Sequence, residues 1–308
     1  MDLARRIHEH QRAFVAPYRE WVEFFGAKEY VGWQGISFLP IAFFKTREVY
    51  DFQSPAEAIF ESSGTSGIQP SRHFVFSLKW YHEVASAIFH QAVGPPQEFH
   101  FLFLLPGYLE RPHSSLVSMA RALHQLSGQP HNPFFIHDFQ GLKKVLHHFL
   151  GHNKRVILWG VTHALLDFAK VWDGEAQGLI VIETGGMKGR GPEISREALW
   201  EILQEAFPGA QVKSEYGMTE LLSQAYTDES GLFRPPPWMR VFVQDSDDPL
   251  SALQESGQGV LHIADLANVH SCAFIATEDL GEVRPDGRFR VTGRLSAADL
   301  RGCQLMYL

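Results

Sequence analysis

The chain has 308 residues, of which 45% are hydrophobic and 20% charged, and its formal net charge is −8 at pH 7. This composition is typical of a globular protein with an ample core, and the acidic balance argues against nucleic acid as a general partner. No apolar run approaches the roughly 20 residues of a membrane helix, and no signal peptide is visible, so membrane insertion is not expected. With Cys272 and Cys303 as its two cysteines, the protein is predicted to be cytoplasmic and free of a disulfide scaffold.

Helices and strands alternate in the predicted order of elements. Helical spacing predicts an amphipathic region over 3–25, broken or restarted at Pro17, and helices over 77–93, 114–126, 162–172 and 195–207, with Ser77, Thr162 and Ser195 as N-caps. Continuous apolar runs predict buried strands over 99–105, 154–160 and 178–183. This alternation indicates an α/β doubly wound core over residues 1–230, and the short alternating segments of 231–308 indicate a small antiparallel β subdomain.

A glycine- and hydroxyl-rich stretch lies between two strand-like flanks and consists of Ser62, Ser63, Gly64, Thr65, Ser66 and Gly67. Glycine lets several backbone N–H groups converge on an anion, and hydroxyls can donate to phosphate oxygens. Arg72 follows and can supply a forked positive charge. The stretch therefore predicts either a polyphosphate cradle or a solvated turn, and it lacks the Gly-Lys-Ser/Thr ending of a Walker loop.

Further polar stretches follow predicted strands, where ligands collect in doubly wound folds. They are 183–187, which holds Gly185 and Gly186; 216–220, which holds Tyr216, Gly217, Thr219 and Glu220; 277–281, which places Asp279 at a predicted turn; and 292–294, which ends the last strand with Arg294. Each stretch alone also has an ordinary structural explanation, because short motifs of this kind are common.

The order of these stretches resembles that of the adenylate-forming (acyl-activating) superfamily, from about residue 60 to the C-terminus. The segments 105–111, 183–186, 265–268 and 299–303 look more narrowly like the acyl-protein synthetase (LuxE-type) branch, which includes the synthetase component of the bacterial fatty acid reductase complex. The resemblance implies the large N-terminal domain of such enzymes, a layered α/β fold with parallel sheets. It also implies a chain lacking the usual C-terminal lid domain and its lysine, since the sequence stops 14 residues after Arg294.

The resemblance implies an AMP-forming acid–thiol ligase. Such an enzyme joins a carboxylic acid, here a fatty acid, to ATP as an acyl-adenylate and passes the acyl group to a thiol of a partner protein. Transfer to coenzyme A, as in phenylacetate-CoA ligases, is the alternative within enzymes. A nucleotide- or acyl-binding module that has lost catalysis is the alternative outside them.

The resemblance also implies roles for single residues. The residues of 62–67 would hold the β- and γ-phosphates, and Arg72 would replace the usual lysine after the loop. Gly185 and Gly186 would line the adenine pocket, with Tyr216 and Gly217 against the ring. Thr219 would contact the α-phosphate and Glu220 would coordinate Mg²⁺, while Asp279 and Arg294 would bind the ribose. Cys303 would accept the acyl group, or else it is retained for packing. No His-x-x-x-His pair with a carboxylate general base is present, so a zinc site is not expected.

Overall fold

The computed structural model describes residues 1–25, 32–62, 69–108, 111–185, 194–248 and 250–295. Its helices are α1 Asp2–Phe14, α2 Ala16–Phe24, α3 Phe43–Thr46, α4 Leu78–Ala92, α5 Ser115–Ser127, α6 Phe139–Gly151, α7 Thr162–Ala169 and α8 Arg196–Ala206. Its strands are β1 Leu39–Pro40, β2 Ala58–Glu61, β3 Arg72–Val75, β4 His100–Leu104, β5 Phe134–Phe135, β6 Val156–Val161, β7 Leu179–Thr184, β8 Gln211–Tyr216, β9 Ala225–Thr227, β10 Phe233–Arg234, β11 Met239–Gln244, β12 Gly257–Asp265, β13 Phe274–Val283 and β14 Phe289–Arg294. Within the described ranges, no helix is long and apolar enough to cross a membrane.

The chain folds into two compact units. The first unit comprises Met1–Tyr81, Met218–Ser223 and Leu232–Leu308, and the second comprises His82–Gly217 and Gln224–Gly231. Neither unit is a single run of sequence. The division into residues 1–230 and 231–308 stays a prediction about the domains.

Parallel strands form the sheet of the second unit. Strands β8, β7, β6, β4 and β5 lie side by side in that order and are parallel, while β9 pairs antiparallel with β8. Every residue of β6 and β7 is buried, as expected for strands covered on both faces. The α/β fold with buried strands near 99–105, 154–160 and 178–183 is therefore confirmed.

Antiparallel strands dominate the first unit. Strands β11, β12, β13, β14 and β10 are neighbours in that order, and β1 runs parallel to β13. Strands β2 and β3 form a separate antiparallel pair. The antiparallel strands predicted after residue 231 are thus present.

Local signals set the starts of most predicted helices. Pro17 lies in the first turn of α2, where its missing N–H costs nothing, so the predicted break near it is confirmed. The hydroxyls of Ser77 and Ser195 each accept a hydrogen bond from a backbone N–H three residues on, at 3.3 and 3.2 Å. Both therefore act as the predicted N-caps.

The predicted cap at Thr162 is wrong. Helix α7 already includes this residue, has no side-chain cap and ends at Ala169. The hydroxyl of Thr162 instead donates to the buried carboxylate of Glu183 at 3.1 Å. A buried carboxylate needs donors, and this need outweighs the weaker benefit of a helix cap.

Candidate functional site

The base of the glycine- and hydroxyl-rich loop lies on the β2–β3 pair of the first unit. Glu61 of β2 faces Arg72 of β3. Just beyond them, the backbone N–H of Ser62 donates to the carbonyl of Ser71 at 3.0 Å, and the N–H of Ser71 donates to the hydroxyl of Ser62 at 2.9 Å. The predicted placement of the loop between two strands is confirmed. Ser63, Gly64, Thr65, Ser66 and Gly67 lie outside the described residues.

Glu220 is joined to this loop base through Ser71. Glu220 is only 5% exposed, and its carboxylate accepts a hydrogen bond from the Ser71 side chain. Burial raises the pKa of Glu220, while the Ser71 hydrogen bond and the charges of Arg294 and Lys45 oppose that rise. A carboxylate bonded to the base of a phosphate-loop candidate has the chemistry to bind a cation, and Mg²⁺ is commonly held by one carboxylate together with substrate phosphates.

Two buried side chains make hydrogen-bonding contacts with the backbone carbonyls of Thr219 and Glu220. His73 of β3 contacts the carbonyl of Thr219 through Nδ1 at 2.7 Å. Asn268 donates from Nδ2 to the carbonyl of Glu220 and to that of Cys272, both at 2.9 Å. His73 and Asn268 also meet each other, with Nε2 of the ring 3.1 Å from the amide Oδ1. These contacts fix where the Thr219–Glu220 turn presents its side chains.

The His73 ring faces acceptor oxygens at both nitrogens. Burial lowers the pKa of His73 to about 4, and the hydrogen bonds to Thr219 and Asn268 oppose this only in part. At pH 7 the ring is therefore neutral and carries one N–H, which can donate to only one of the two acceptors, the Thr219 carbonyl or the Asn268 amide oxygen.

Asp265 fixes the chain just after Glu220. Its Oδ2 accepts from the backbone N–H groups of Leu222 and Ser223 at 2.9 and 2.8 Å, and its Oδ1 accepts from the Ser223 hydroxyl at 2.7 Å. Oδ1 also accepts from the N–H of Ala267 at 3.2 Å. Burial raises the pKa of Asp265, and these donors oppose the rise. The carboxylate thus ties the end of β12 to the segment that carries Glu220.

Asp279 and Arg294 face each other across the β13–β14 pair. Their Cα atoms are partners in the register, and Nε of Arg294 lies 3.5 Å from Oδ1 of Asp279. The Asp279 side chain is 14% exposed and that of Arg294 60% exposed, so the guanidinium reaches solvent. This geometry offers a carboxylate acceptor beside a cation, a combination that can bind a diol.

The predicted turn at 277–281 is wrong, because these residues lie within β13. The register shifts between Leu280 and Gly281, and a side chain at Gly281 would collide with the carbonyl of Arg290. The glycine therefore marks a bulge with a close backbone approach rather than a turn. A bulge of this kind re-aims the neighbouring side chains without ending the strand.

Arg72 makes mainly weak contacts. Its Nη2 lies 3.6 Å from the carboxylate of Glu48, and its guanidinium carbon lies 5.8 Å from the centre of the Phe74 ring. The Nε atom is buried and has no hydrogen-bond partner among the described residues. Arg72 therefore carries a buried donor for which the described residues supply no acceptor.

Three other predicted site residues, Gly185, Tyr216 and Gly217, belong to the second unit. Gly185 follows β7 with φ of 83°, a conformation that favours glycine. Tyr216 ends β8 and is 9% exposed, and Gly217 comes directly after it. A side chain at Gly217 would collide with the carboxylate of Glu215, which would have to move. Gly186 and Cys303 lie outside the described residues.

Two buried carboxyl groups, Glu183 and Glu215, accompany these residues. The hydroxyl of Thr184 donates to Glu215. Burial and the nearby charge of Glu183 together raise the pKa of Glu215 to about 7, against the hydrogen bond from Thr184. Burial also raises the pKa of Glu183, against hydrogen bonds from Ser214 and Thr162 and the charge of Arg196. Near their carboxyl ends, β7 and β8 therefore each carry a buried glutamate whose pKa is raised.

No sequence pattern singles out His73 or Ser71 as a site residue. Asp265 and Asn268 appear only as part of the stretch 265–268 in the family resemblance. Ser71 is recognisable as a loop flank, but its bond to Glu220 joins positions about 150 residues apart in the chain. These groups come together only in the folded chain, so no local sequence pattern predicts them.

Comparison of the sequence with protein-family models and with curated proteins gives no match. Comparison of the fold with solved structures does. A 2-hydroxyisobutyryl-CoA ligase in complex with 2-HIB-AMP and CoA matches with a TM-score of 0.70 and 12% identity, over 96% of this chain and 67% of that chain. An O-succinylbenzoate coenzyme A synthetase from Bacillus subtilis in complex with AMP matches with a TM-score of 0.55 and 18% identity, over 79% and 63%.

A luciferase-like enzyme from the nonluminescent mealworm Zophobas morio matches with a TM-score of 0.51 and 17% identity, over 81% of this chain and 59% of that chain. The chain thus spans about two thirds or less of the length of these structures. At such low identity the likeness shows the fold. That fold is the α/β architecture of the large domain of adenylate-forming enzymes, as the sequence resemblance implied.

Proposed function

We propose that this protein uses ATP to activate a carboxylic acid as an acyl-adenylate. The observation that carries the proposal is the hydrogen bond from Ser71 to Glu220, because it joins the base of a phosphate-loop candidate to a buried carboxylate. The fold supports the proposal, since the similar solved structures include ligases bound to AMP or to an acyl-adenylate.

Electrostatic repulsion is the obstacle in this reaction, because an anionic carboxylate must attack a polyanion. Two unit charges ~4 Å apart repel by about 4 kcal/mol at an effective dielectric constant of 20. Donors and cations that are already in place must offset this repulsion as charge gathers on the phosphate oxygens. Arg294 and Lys45 act electrostatically on Glu220, and the buried Nε of Arg72 lacks a partner in the described part of the chain.

Each proposed role suits the chemistry of its residue. Ser62–Gly67 and Arg72 bind the terminal phosphates, and Thr219 donates its hydroxyl to the α-phosphate. Asp279 accepts from the ribose hydroxyls, with Arg294 beside it at 3.5 Å. Gly185, Gly186, Tyr216 and Gly217 receive the adenine ring. Glu220 is the residue that would hold Mg²⁺, which when bound neutralises phosphate charge.

The acceptor of the acyl group distinguishes two versions of this function. In the first, the resemblance to acyl-protein synthetases points to a protein thiol as acceptor, to a fatty acid as substrate and to Cys303 as the site of transient acylation. In the second, coenzyme A is the acceptor, and the CoA ligases among the similar structures favour this alternative.

Exchange of labelled pyrophosphate into ATP tests adenylation directly. We expect exchange that depends on one class of acid in a panel of fatty and aromatic carboxylates. Measurable ATP binding without exchange for any acid would contradict the proposal and favour a binding module.

A second experiment addresses the acceptor. The protein is incubated with ATP and labelled acid and then treated with hydroxylamine, which cleaves thioesters. The carrier role predicts a hydroxylamine-sensitive adduct that is lost in Cys303→Ala and kept in Cys272→Ala, since the thiol of Cys272 is buried. Label that persists in Cys303→Ala would remove Cys303 from the mechanism.

A further inference from the structure

We propose that His10, Asp51 and His270 form a binding site for a divalent transition metal ion of the zinc type. Nε2 of His10 lies 3.0 Å from Oδ2 of Asp51, and Nδ1 of His270 lies 2.7 Å from the same oxygen. One ligand atom from each residue lies within 4.8 Å of the others. All three residues belong to the first unit.

The three residues come from distant parts of the sequence, and the backbone around them is held firmly. The N–H of Asp51 donates to the carbonyl of His270 at 2.9 Å, and the hydroxyl of Ser271 donates to the carbonyl of Val49 at 2.7 Å. Gln11, next to His10 on α1, donates from Nε2 to the carbonyls of Asn268 and Val269 at 2.9 and 2.8 Å. The ligand atoms are therefore placed before any ion arrives.

The orientation of each side chain also suits metal binding. The His270 ring stacks on Phe76 with centroids 4.1 Å apart, and the His10 ring packs against Phe14 at 5.0 Å. Oδ1 of Asp51 accepts from the N–H of Gln53 at 3.1 Å, which leaves Oδ2 for the ion. Such supporting contacts around ligating groups fix their orientation and contribute to affinity.

The proposed metal site is partly exposed to solvent. The Asp51 side chain is fully buried, whereas those of His10 and His270 are 29% and 35% exposed. Water can therefore complete the coordination of an ion held by the three side chains. The buried carboxylate supplies a negative charge that an ion of charge +2 would offset.

The ligand set selects the class of metal. Two imidazole nitrogens and one carboxylate oxygen suit Zn²⁺ and its neighbours, whereas Mg²⁺ and Ca²⁺ prefer oxygen ligands alone. Zinc–ligand distances of about 2.0–2.2 Å in a tetrahedral site separate the ligand atoms by about 3.3 Å. The nitrogen–oxygen distances of 3.0 and 2.7 Å need only widen slightly. Each ring then binds through a nitrogen lone pair, and its proton moves to solvent or to the other ring nitrogen.

The metal would stabilise the segment that supports Glu220. His270 lies two residues after Asn268, whose side chain donates to the Glu220 carbonyl at 2.9 Å. An ion that ties this segment to α1 and to Asp51 would hold Asn268 in place. The expected consequence is a higher melting temperature for the metal-loaded protein, because a ligand that binds only the folded state stabilises it.

Metal titration of the full chain tests the proposal. After dialysis against a chelator, Zn²⁺ binding is measured by competition with a chromophoric chelator for the wild type, His10→Gln and Asp51→Asn. His90→Gln serves as the control, since His90 is exposed in the last turn of α4. We expect one tight Zn²⁺ per chain in the wild type and the control, and at least about tenfold weaker binding in the other two variants.

Two measurements keep the test independent of folding defects. Far-UV circular dichroism of each metal-free variant shows whether it is folded, and X-ray absorption at the zinc edge of the wild type reads the ligands directly. Imidazole ligands at about 2.0 Å are expected there. A wild type that does not bind Zn²⁺, or variants that bind it as tightly as the wild type, would overturn the proposal.

Discussion

Replacing Asn268 by alanine removes a side chain that is 1% exposed and makes contacts to three groups. Its Nδ2 donates to the carbonyls of Glu220 and Cys272, both at 2.9 Å. Leaving a buried acceptor unsatisfied costs about 1–3 kcal/mol, so the two carbonyls together predict a loss of about 2–6 kcal/mol in the free energy of unfolding. The lower part of this range applies where water enters the space that the side chain leaves.

Urea unfolding followed by circular dichroism measures this loss, provided that the slope of the free energy with urea is unchanged. Asn132→Ala is the matched control, because Asn132 is exposed and accepts one hydrogen bond, at 3.2 Å. We expect a loss below about 1 kcal/mol for this control, as for most surface substitutions. Equal losses in the two variants would refute the reasoning that buried bonds to the Thr219–Glu220 turn stabilise it.

Three further predictions have defined outcomes, two for substitutions and one for the dependence of stability on pH. Gly217→Ala should lower the melting temperature, because the new methyl group would displace the buried carboxylate of Glu215. Burial lowers the pKa of His262 from 6.5 to about 4. The unfolded chain therefore binds more protons than the folded chain between these pH values. As pH falls from about 6.5 to 4, His262 should lower the free energy of unfolding by up to about 3 kcal/mol. The hydrogen bond from Ser71 lowers the pKa of Glu220, so Ser71→Ala should raise that pKa further. The acid limb of the pH profile of pyrophosphate exchange should then move to higher pH.

Each of these outcomes has a control. Gly293→Ala, where no atom lies within 4 Å of the added carbon, should leave the melting temperature almost unchanged. His262→Gln should flatten the decline in stability between about pH 6.5 and 4, and an identical decline in this variant would contradict the assignment. An acid limb that stays in place in Ser71→Ala would show that Glu220 does not control it.

Local composition sufficed to predict the parallel strands. The continuous apolar run of β4 and the fully buried residues of β6 and β7 are typical of strands covered on both faces. Serine N-caps also follow from sequence, because the cap and its partner N–H lie three residues apart. Signals of this short range can be read without knowing the fold.

The features that sequence patterns did not predict depend on contacts between residues far apart in the chain. The sequence predicts Thr162 as a helix cap, but its hydroxyl donates to the carboxylate of Glu183 on the neighbouring strand β7. The sequence predicts a turn at 277–281, whereas these residues lie within β13 and Gly281 permits a close approach between β13 and β14 at a bulge. The His10–Asp51–His270 cluster spans most of the chain. A search for closely spaced histidines does not find it.

The most direct test of the central claim is pyrophosphate exchange by Glu220→Gln at saturating acid and varied Mg²⁺. The amide keeps an acceptor for Ser71 but lacks the negative charge that a cation requires. With Glu201→Gln as the control, at an exposed position on α8, we predict a drop of about 100-fold or more for Glu220→Gln, the scale expected when one group that stabilises transition-state charge is lost. Exchange at the wild-type rate in Glu220→Gln, with the same dependence on Mg²⁺, would contradict this role of Glu220.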